Sequence, residues 1–171
     1  MIKRVPYLLL AVLMVACSSI DCPVDSTVTT LYQVYDSNGI AMSLNDTMTV
    51  VSERQDGEDI TLLDGQDNTL YNKGFGLKEF VLPISYSHPE DVLFFHFDNS
   101  DNNDLHVIDT VWIKKDDYPH FESVDCNAIF FHTLTDVRYT RNYIDSIVIK
   151  NPSVTYDSQT VHFYLYPKTG H

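Results

Sequence analysis

The chain has 171 residues, of which 44% are hydrophobic and 20% are charged. Its 24 acidic residues outnumber its 11 lysines and arginines, so the formal net charge at pH 7 is −13. Such a surface repels nucleic acid and anionic head groups, because binding them needs basic patches. We therefore expect no nucleic-acid partner, and the length predicts one domain with a sizeable core.

The N-terminus has the layout of a secretory signal. Lys3 and Arg4 precede an uncharged apolar run from Tyr7 to Val15, and Ala16 comes directly before Cys17. A positive start, a short apolar stretch and a small residue at the cut are typical of a signal peptide. The run is shorter than the roughly 20 residues that span a bilayer. We predict that the signal, residues 1–16, is removed.

The stretch Leu13-Met14-Val15-Ala16-Cys17 resembles a lipobox, the cleavage and acylation site of bacterial lipoproteins, with Met14 where Leu is usual. The resemblance implies a diacylglyceryl group on the Cys17 sulfur and a fatty acyl chain on its amine. Ser18 rather than Asp follows, which in Gram-negative lipoproteins favours the outer membrane, facing either the periplasm or the outside. Several acyl chains hold a protein firmly where one does not. The alternative is an ordinary signal peptide followed by an unrelated cysteine.

The two remaining cysteines predict a disulfide. Once Cys17 carries lipid, Cys22 and Cys126 form an even pair in an oxidising compartment, where disulfides persist. Two free thiols are the alternative, and no CxxC or paired-histidine spacing indicates a metal. Residues 17–26 are predicted to form a lipidated tether, and residues 27–171 a single domain.

Short segments rich in Val, Ile, Thr, Phe and Tyr follow the tether, as is typical of β-strands. Val161, Phe163 and Leu165 alternate with other residues, which places them on one face of a strand. The candidate strands are Val28–Tyr35, Asp46–Glu53, Asp59–Leu63, Leu77–Ser85, Asp91–Phe97, Leu105–Lys114, Asn127–Tyr139, Tyr143–Lys150 and Gln159–Tyr166. The pattern predicts an all-β fold, an antiparallel β-sandwich of about eight or nine strands.

Turn residues separate these strands. Asn38-Gly39 is a strong hairpin signal, since both residues tolerate the left-handed backbone conformation. Pro83 lacks a backbone donor and predicts an edge strand or a bulge.

The acidic loop after residue 97 is the candidate calcium site. Asp98, Ser100, Asn102 and Asp104 alternate along it, as the oxygen ligands of Ca²⁺ do. The loop lacks a glycine at the sharp turn, and Asn and Asp are also ordinary turn formers. We favour a plain loop and expect no cofactor and no bound metal.

Three histidines lie mid-strand beside aromatic residues: His96, His132 and His162. They would hold a metal only if their strands brought the imidazoles together. Exposed or hydrogen-bonded strand histidines are the ordinary alternative.

No catalytic, metalloprotease or nucleotide-binding motif is present in the sequence, so we expect no enzyme. The aromatic residues allow glycan binding instead. Tyr143, Tyr164, Tyr166 and Trp112 would stack on a sugar ring if exposed, and would pack in the core if not.

A triplet of Asp, a hydroxyl residue and then an apolar residue or Thr recurs along the chain. It resembles the protein O-glycosylation acceptor of Bacteroides-type bacteria and makes Thr47, Thr110 and Ser146 candidate acceptors. The alternative is that Asp ends a turn and the hydroxyl residue begins a strand.

The mature chain resembles an uncharacterised lipoprotein family of Bacteroides-type bacteria. The residues that carry the resemblance are Cys17 with Cys22-Pro23, Asp46 to Val50, Phe80 to Ile84, Glu122 to Cys126 and Asp145 to Pro152. The resemblance implies an envelope address and no activity. We therefore expect a non-enzymatic, membrane-anchored binding or assembly component with a protein or glycan partner. The alternatives are a surface glycan-binding lipoprotein and a fimbrial or other strand-exchanging subunit.

Overall fold

The structure is a computed structural model, and it describes residues 28–53, 69–99, 106–124 and 126–168. The predicted signal, the tether and the candidate strand Asp59–Leu63 lie outside the described residues. Within them the chain is all-β, and none of them forms a helix long and apolar enough to cross a membrane.

Ten strands form two sheets. The strands are β1 (Thr29–Val34), β2 (Thr47–Ser52), β3 (Thr69–Gly74), β4 (Glu79–Pro83), β5 (Glu90–Asp98), β6 (His106–His120), β7 (Ile129–Tyr139), β8 (Ile144–Ile149), β9 (Ser153–Val154) and β10 (Val161–Pro167). The small sheet has the order β4-β1-β10-β8, and the large sheet has the order β3-β2-β5-β6-β7-β9. The predicted all-β sandwich is confirmed, with β3 and β9 added to the strands that the sequence indicated.

One strand pair departs from the antiparallel prediction. The first and last strands, β1 and β10, lie side by side and run parallel. The register shifts by one residue after Leu31, where His162 is the extra residue on β10. All other pairs between strands are antiparallel in the described part of the chain.

The core lies between the sheets and is built around aromatic rings. Tyr32 of β1 stacks on Phe80 and Phe163, with ring centroids 4.8 and 4.6 Å apart. Across the core it meets Phe95 of the large sheet edge-on at 6.3 Å. Alternation produces this layer, because period 2 sends every second residue of a strand inward. The burial of these rings from both sheets contributes apolar stabilisation to the fold.

β4 is an edge of the small sheet in the described structure, as Pro83 predicted. Pro83 occupies the last position of the strand, opposite Thr29. A missing backbone donor is tolerated at such a position.

The Asn38-Gly39 turn connects β1 to a short returning segment rather than to a paired β2. Gly39 has φ of 76°, which glycine adopts without steric cost. The Asp36 carboxylate accepts hydrogen bonds from the backbone N–H groups of Ile40 and Asn38 at 2.8 and 2.9 Å, and these lower the pKa of Asp36. Tyr35 bridges to Ala41, and β2 then joins the other sheet.

The hairpin of β6 and β7 is longer than predicted. β6 continues to His120, past Lys114, where the predicted strand ended. A register shift opposite Lys114 and Lys115 lets the pairing with β7 continue to His120. The hairpin therefore extends beyond β5, whose pairing with β6 ends at Lys114.

Candidate binding surfaces

The inner face of β6 is polar at both ends and apolar between them. Asp109, Val111, Ile113 and Lys115 alternate along it, and all four are buried. Burial of a charged group costs free energy unless partners compensate it. The surroundings of Asp109 and Lys115 therefore define two ends of the sandwich, called here the Asp109 end and the Lys115 end.

At the Asp109 end, one carboxylate holds the turn between β7 and β8. Asp109 Oδ1 accepts hydrogen bonds from the Thr140 hydroxyl and the Asn142 N–H, both at 2.7 Å. Its Oδ2 accepts from the N–H groups of Tyr143 and Ile144 at 2.8 and 2.7 Å. Four donors satisfy the charge, so this group has a structural role.

Tyr143 lies at this same end and is buried, so of the two alternatives for it core packing applies and sugar stacking does not. Its ring stacks on Phe97 with centroids 3.9 Å apart. Burial raises the pKa of Tyr143, and a hydrogen bond with the buried Asp46 carboxyl raises it further. Tyr143 therefore belongs to the core.

At the Lys115 end, a buried ammonium group joins separate segments of the chain. Lys115 Nζ donates to the carbonyl of His88 and lies 3.6 Å from both Asp91 Oδ1 and Asp117 Oδ1. Asp91 in turn accepts from the Ser85 hydroxyl at 2.6 Å and the Ser85 N–H at 3.0 Å. The network fastens the β4–β5 loop to the large sheet. This network was not predicted from the sequence, although Lys115 continues the inward alternation of β6.

His132 completes this network from β7. Its Nδ1 lies 2.6 Å from Asp117 Oδ1, and its side chain is almost fully buried. A groove of about 690 Å³ opens beside the network, and Ser85, His88 and Asp91 line part of it.

The three mid-strand histidines are held in different places. His96 lies on β5 beside the ring of His106, with centroids 5.6 Å apart. His132 pairs with Asp117, while His162 lies in the small sheet and accepts the Leu31 N–H at Nδ1, at 3.0 Å. Among the described residues no group of three or more His, Cys, Asp or Glu is placed to hold a metal ion.

The candidate calcium loop is described only at its start. Asp98 Oδ1 lies 2.6 Å from His106 Nδ1 across the β5–β6 hairpin. Ser100, Asn102 and Asp104 lie outside the described residues, so the calcium site stays a prediction.

A cluster of three tyrosines, the tyrosine face, covers the outer side of the small sheet. Tyr35 follows β1, and its ring lies 4.5 Å from that of Tyr164 and 6.1 Å from that of Tyr166 on β10. The Tyr35 hydroxyl donates to Gln33 Oε1 at 3.0 Å. A side-chain hydrogen bond with Tyr164 raises the pKa of Tyr35. Lys150 Nζ lies 5.6 Å from the centre of the Tyr164 ring, within cation–π range.

An open groove of about 580 Å³ adjoins the tyrosine face. The residues that line it are Ser37, Asp145, Ser146, Tyr166, Pro167 and Lys168. Hydroxyl, carboxylate and ammonium groups thus lie next to an aromatic ring. Tyr164 and Tyr166 were predicted as ring-stacking residues, but Tyr35 was not. Trp112, the fourth residue of that prediction, is half-buried beneath Arg138, whose Cζ lies 5.4 Å from the ring.

Exposed aromatic and aliphatic side chains gather where the β6–β7 hairpin passes the Lys115 end. We call this surface the apolar end and define it by Tyr86, Tyr118, Phe121, Val124 and Tyr156, all exposed. Tyr86 stacks on Phe130 at 4.7 Å, and Tyr156 meets Phe131 edge-on at 4.8 Å. Because adjacent strand residues point to opposite faces, both sides of the hairpin carry rings.

A family model described as "Family of unknown function (DUF6452)" matches residues 59–167. The chain belongs to this family. No curated protein and no solved structure matched the chain.

The DUF6452 match begins after β2, yet β1 and β2 are integral to the fold. β1 lies between β4 and β10, and β2 lies between β3 and β5. The structural unit of this DUF6452 chain therefore starts before the matched residues. The Asp109 end, the Lys115 end and the apolar end lie within the match, as do two of the three residues of the tyrosine face.

The candidate O-glycosylation residues of the DUF6452 chain are all strand residues. Thr47 begins β2, Thr110 lies within β6 and Ser146 lies within β8, and each is partly exposed. Cys126 lies between β6 and β7, whereas Cys17 and Cys22 lie outside the described residues. The lipidation, the disulfide and the glycosylation stay predictions.

Proposed function

We propose that this DUF6452 protein is a lipid-anchored envelope protein of the outer membrane in Bacteroides-type bacteria, and that it binds a ligand without catalysing a reaction. The lipobox-like stretch that ends at Cys17 supports the anchor. A disulfide between Cys22 and Cys126 would tie the tether to the domain. The tyrosine face with its adjoining groove is the observation that carries the binding role.

The tyrosine face has the makeup of a recognition surface. Tyrosine is enriched at protein interfaces because its ring is apolar and rigid while its hydroxyl bonds to polar groups. Tyr35, Tyr164 and Tyr166 present three such side chains on one rigid sheet. A site built on strands is positioned more accurately than one built on loops.

A glycan is the ligand class that this surface favours. The apolar C–H face of a sugar ring stacks on an aromatic ring, and its hydroxyls need nearby donors and acceptors. Tyr166 lines the groove beside Asp145 and Ser146, which supply a carboxylate and a hydroxyl. A protein partner is the other ligand class and would use the same rings.

The anchor is tested by the mass of the protein purified from its own cells. We expect a chain that begins at Cys17 and carries acyl groups. Cys17→Ser should abolish cleavage at this site and lipid attachment. An intact Met1, or an unmodified thiol at Cys17, would contradict the anchor.

The binding role is tested on a glycan array with the full lipidated chain in detergent. Tyr164→Ala with Tyr166→Ala should weaken binding by about tenfold or more, since a lost stacking interaction of about 1.4 kcal/mol has that effect. Tyr86→Ala is the matched control, because it removes an exposed tyrosine from the apolar end instead.

Equal binding by both variants would place the glycan elsewhere. If no glycan binds, a photo-crosslinking side chain at position 166, compared with one at position 86, tests for a protein partner in intact cells. Cross-links at neither position would contradict the tyrosine face as a binding surface.

A further inference from the structure

The described domain begins at the Lys115 end. Val28 precedes β1, and the next residue, Thr29, pairs with Pro83. Ser85 lies two positions after Pro83, and its hydroxyl donates to Asp91 Oδ1. That oxygen lies 3.6 Å from Lys115 Nζ. The chain therefore enters the sandwich beside the apolar end and far from the Asp109 end.

The opposite end of β1 leads to the tyrosine face. Tyr35 follows the strand, and its N–H donates to the Leu165 carbonyl at 2.9 Å. Tyr166 pairs with Ser146, close to Ile144, whose N–H binds Asp109. Tyr35 and Tyr166 are thus directed toward the Asp109 end.

The chain enters the sandwich at the Lys115 end, and the length of the preceding segment is known from the sequence. Eleven positions separate Cys17 from Val28. A segment of that length spans at most about 38 Å when fully extended. β1 has six residues and a length of about 20 Å. To bring the Asp109 end to the membrane, the segment would have to run back along β1 and would use about half of that reach, whereas the Lys115 end lies beside Val28.

The Lys115 end, where the chain enters the sandwich, is also the end that exposes apolar side chains. Phe121 is 60% exposed and Val124 is 97% exposed, in the segment that follows β6. Three exposed tyrosines lie on or against the same hairpin: Tyr118 on β6, Tyr86 against Phe130 and Tyr156 against Phe131. Tyrosine is enriched where proteins meet the membrane–water boundary, because its ring prefers the head-group layer. Exposed apolar side chains gathered in one place mark an interaction surface.

We infer that the apolar end rests on the lipid bilayer when Cys17 is anchored, with Phe121 and Val124 in the head-group layer. The inference depends on the lipid anchor of the proposed function but not on the Cys22–Cys126 bond. That bond would shorten the tether further, because Cys126 lies two positions after Val124. In this orientation the tyrosine face lies toward the end of the sandwich that is farther from the membrane.

The partner surface is a zwitterionic bilayer. Glu122 lies between Phe121 and Val124, and Asp116 is exposed on the same hairpin. Anionic lipids would repel these carboxylates, whereas apolar and aromatic side chains partition into the boundary without a basic patch. Adding anionic lipid should therefore not strengthen the contact.

The test measures quenching by brominated lipids in vesicles of phosphatidylcholine and phosphatidylethanolamine that carry the full lipidated chain. The sequence has one tryptophan, so Trp112→Phe leaves the chain without that signal. One variant then adds Phe121→Trp, and the matched control adds Ile40→Trp. Ile40 is 64% exposed, nearly the same as Phe121, but lies in the turn after Tyr35.

Quenching of the tryptophan at position 121 should be at least roughly twice that at position 40. Equal quenching, or stronger quenching at position 40, would overturn the inference and leave the anchor intact. Loss of the chain from the vesicles would overturn the anchor and the inference together. Hydrogen exchange of the unsubstituted lipidated chain gives a second measurement, since vesicles should protect residues 118–124 more than residues 36–41, relative to detergent.

Discussion

Asp109 and Lys115 occupy opposite ends of one buried stripe on β6, and each is an ionisable group removed from water. Asp109 takes all four of its hydrogen bonds from one short segment, Thr140 to Ile144. Lys115 instead donates a hydrogen bond to the His88 carbonyl and forms ion pairs with Asp91 and Asp117. The first arrangement organises a turn locally, whereas the second holds distant segments together. The two ends of the sandwich should therefore respond differently to substitution.

The largest effect is expected at the Asp109 end. Asp109→Ala leaves three backbone N–H groups and one hydroxyl without their acceptor inside the fold. Removing one side of a buried charged network costs about 3–5 kcal/mol, so the free energy of unfolding should fall by that amount. Urea unfolding of the folded chain measures the loss.

The control for this substitution is Asp116→Ala, which removes an exposed carboxylate from the same strand. A surface change of this kind has little effect on stability. If both variants unfold at the same urea concentration, the four hydrogen bonds to Asp109 do not stabilise the turn.

A smaller loss is expected at the Lys115 end. Lys115→Met keeps the packing of the side-chain stem but leaves Asp91 and Asp117 without their cation. We expect a loss of about 2–4 kcal/mol, since the two carboxylates retain other partners. Lys114→Met, on the exposed neighbouring lysine, should leave the unfolding midpoint unchanged.

Adding Asp91→Asn to Lys115→Met sharpens this result. Removing one of the two carboxylates should recover part of the lost stability, which a double-mutant cycle measures. Additive losses would show that Lys115 and Asp91 are not coupled.

The smallest effect is a pH dependence that His162 contributes near the Lys115 end. Its Nδ1 accepts the Leu31 N–H, which requires the neutral ring. Burial lowers the pKa of His162, against the opposing effects of a backbone hydrogen bond with Ser153 and the charge of Asp157. Above the unfolded-state pKa of about 6.5 both states are neutral and full stability is present. As the pH falls below that value the unfolded chain binds the proton first, so stability declines by at most about 1.4 kcal/mol per pH unit.

His162→Gln removes this titration while offering a carbonyl acceptor. The decline in unfolding free energy between pH 7 and pH 5 should be shallower in the variant than in the natural chain. All other histidines are common to both proteins, so only the difference between the two slopes is informative. Parallel slopes would mean that His162 takes up its proton equally in the folded and unfolded states.

Alternation of apolar residues was sufficient to predict most of the strands and the β-sandwich. β3 was missed because Leu70 and Tyr71 are followed by Asn72, Lys73 and Gly74, which resemble a turn. Lys73 indeed has a left-handed φ of 48°. The second half of β6 was missed because Lys114 to Asp117 resembles a charged loop.

The candidate sites were harder to predict because they depend on contacts between distant segments. Tyr164 and Tyr166 were recognised from their place on a strand. Tyr35 joins them only through the parallel pairing of β1 with β10, which a local pattern does not reveal. Lys115 follows the inward alternation of β6, but two of its partners, the His88 carbonyl and the Asp91 carboxylate, come from the β4–β5 loop and from β5.

The pairing of the first and last strands also has a consequence for folding. Leu31 and His162 are bonded across 131 positions of sequence. Native contacts of such long sequence separation slow folding, because the chain must close a large loop before they form. A chain in which β10 has not yet docked leaves β1 with only one of its two neighbours. The small sheet, and the tyrosine face upon it, can therefore be completed only when Val161 to Pro167 is available to pair with β1.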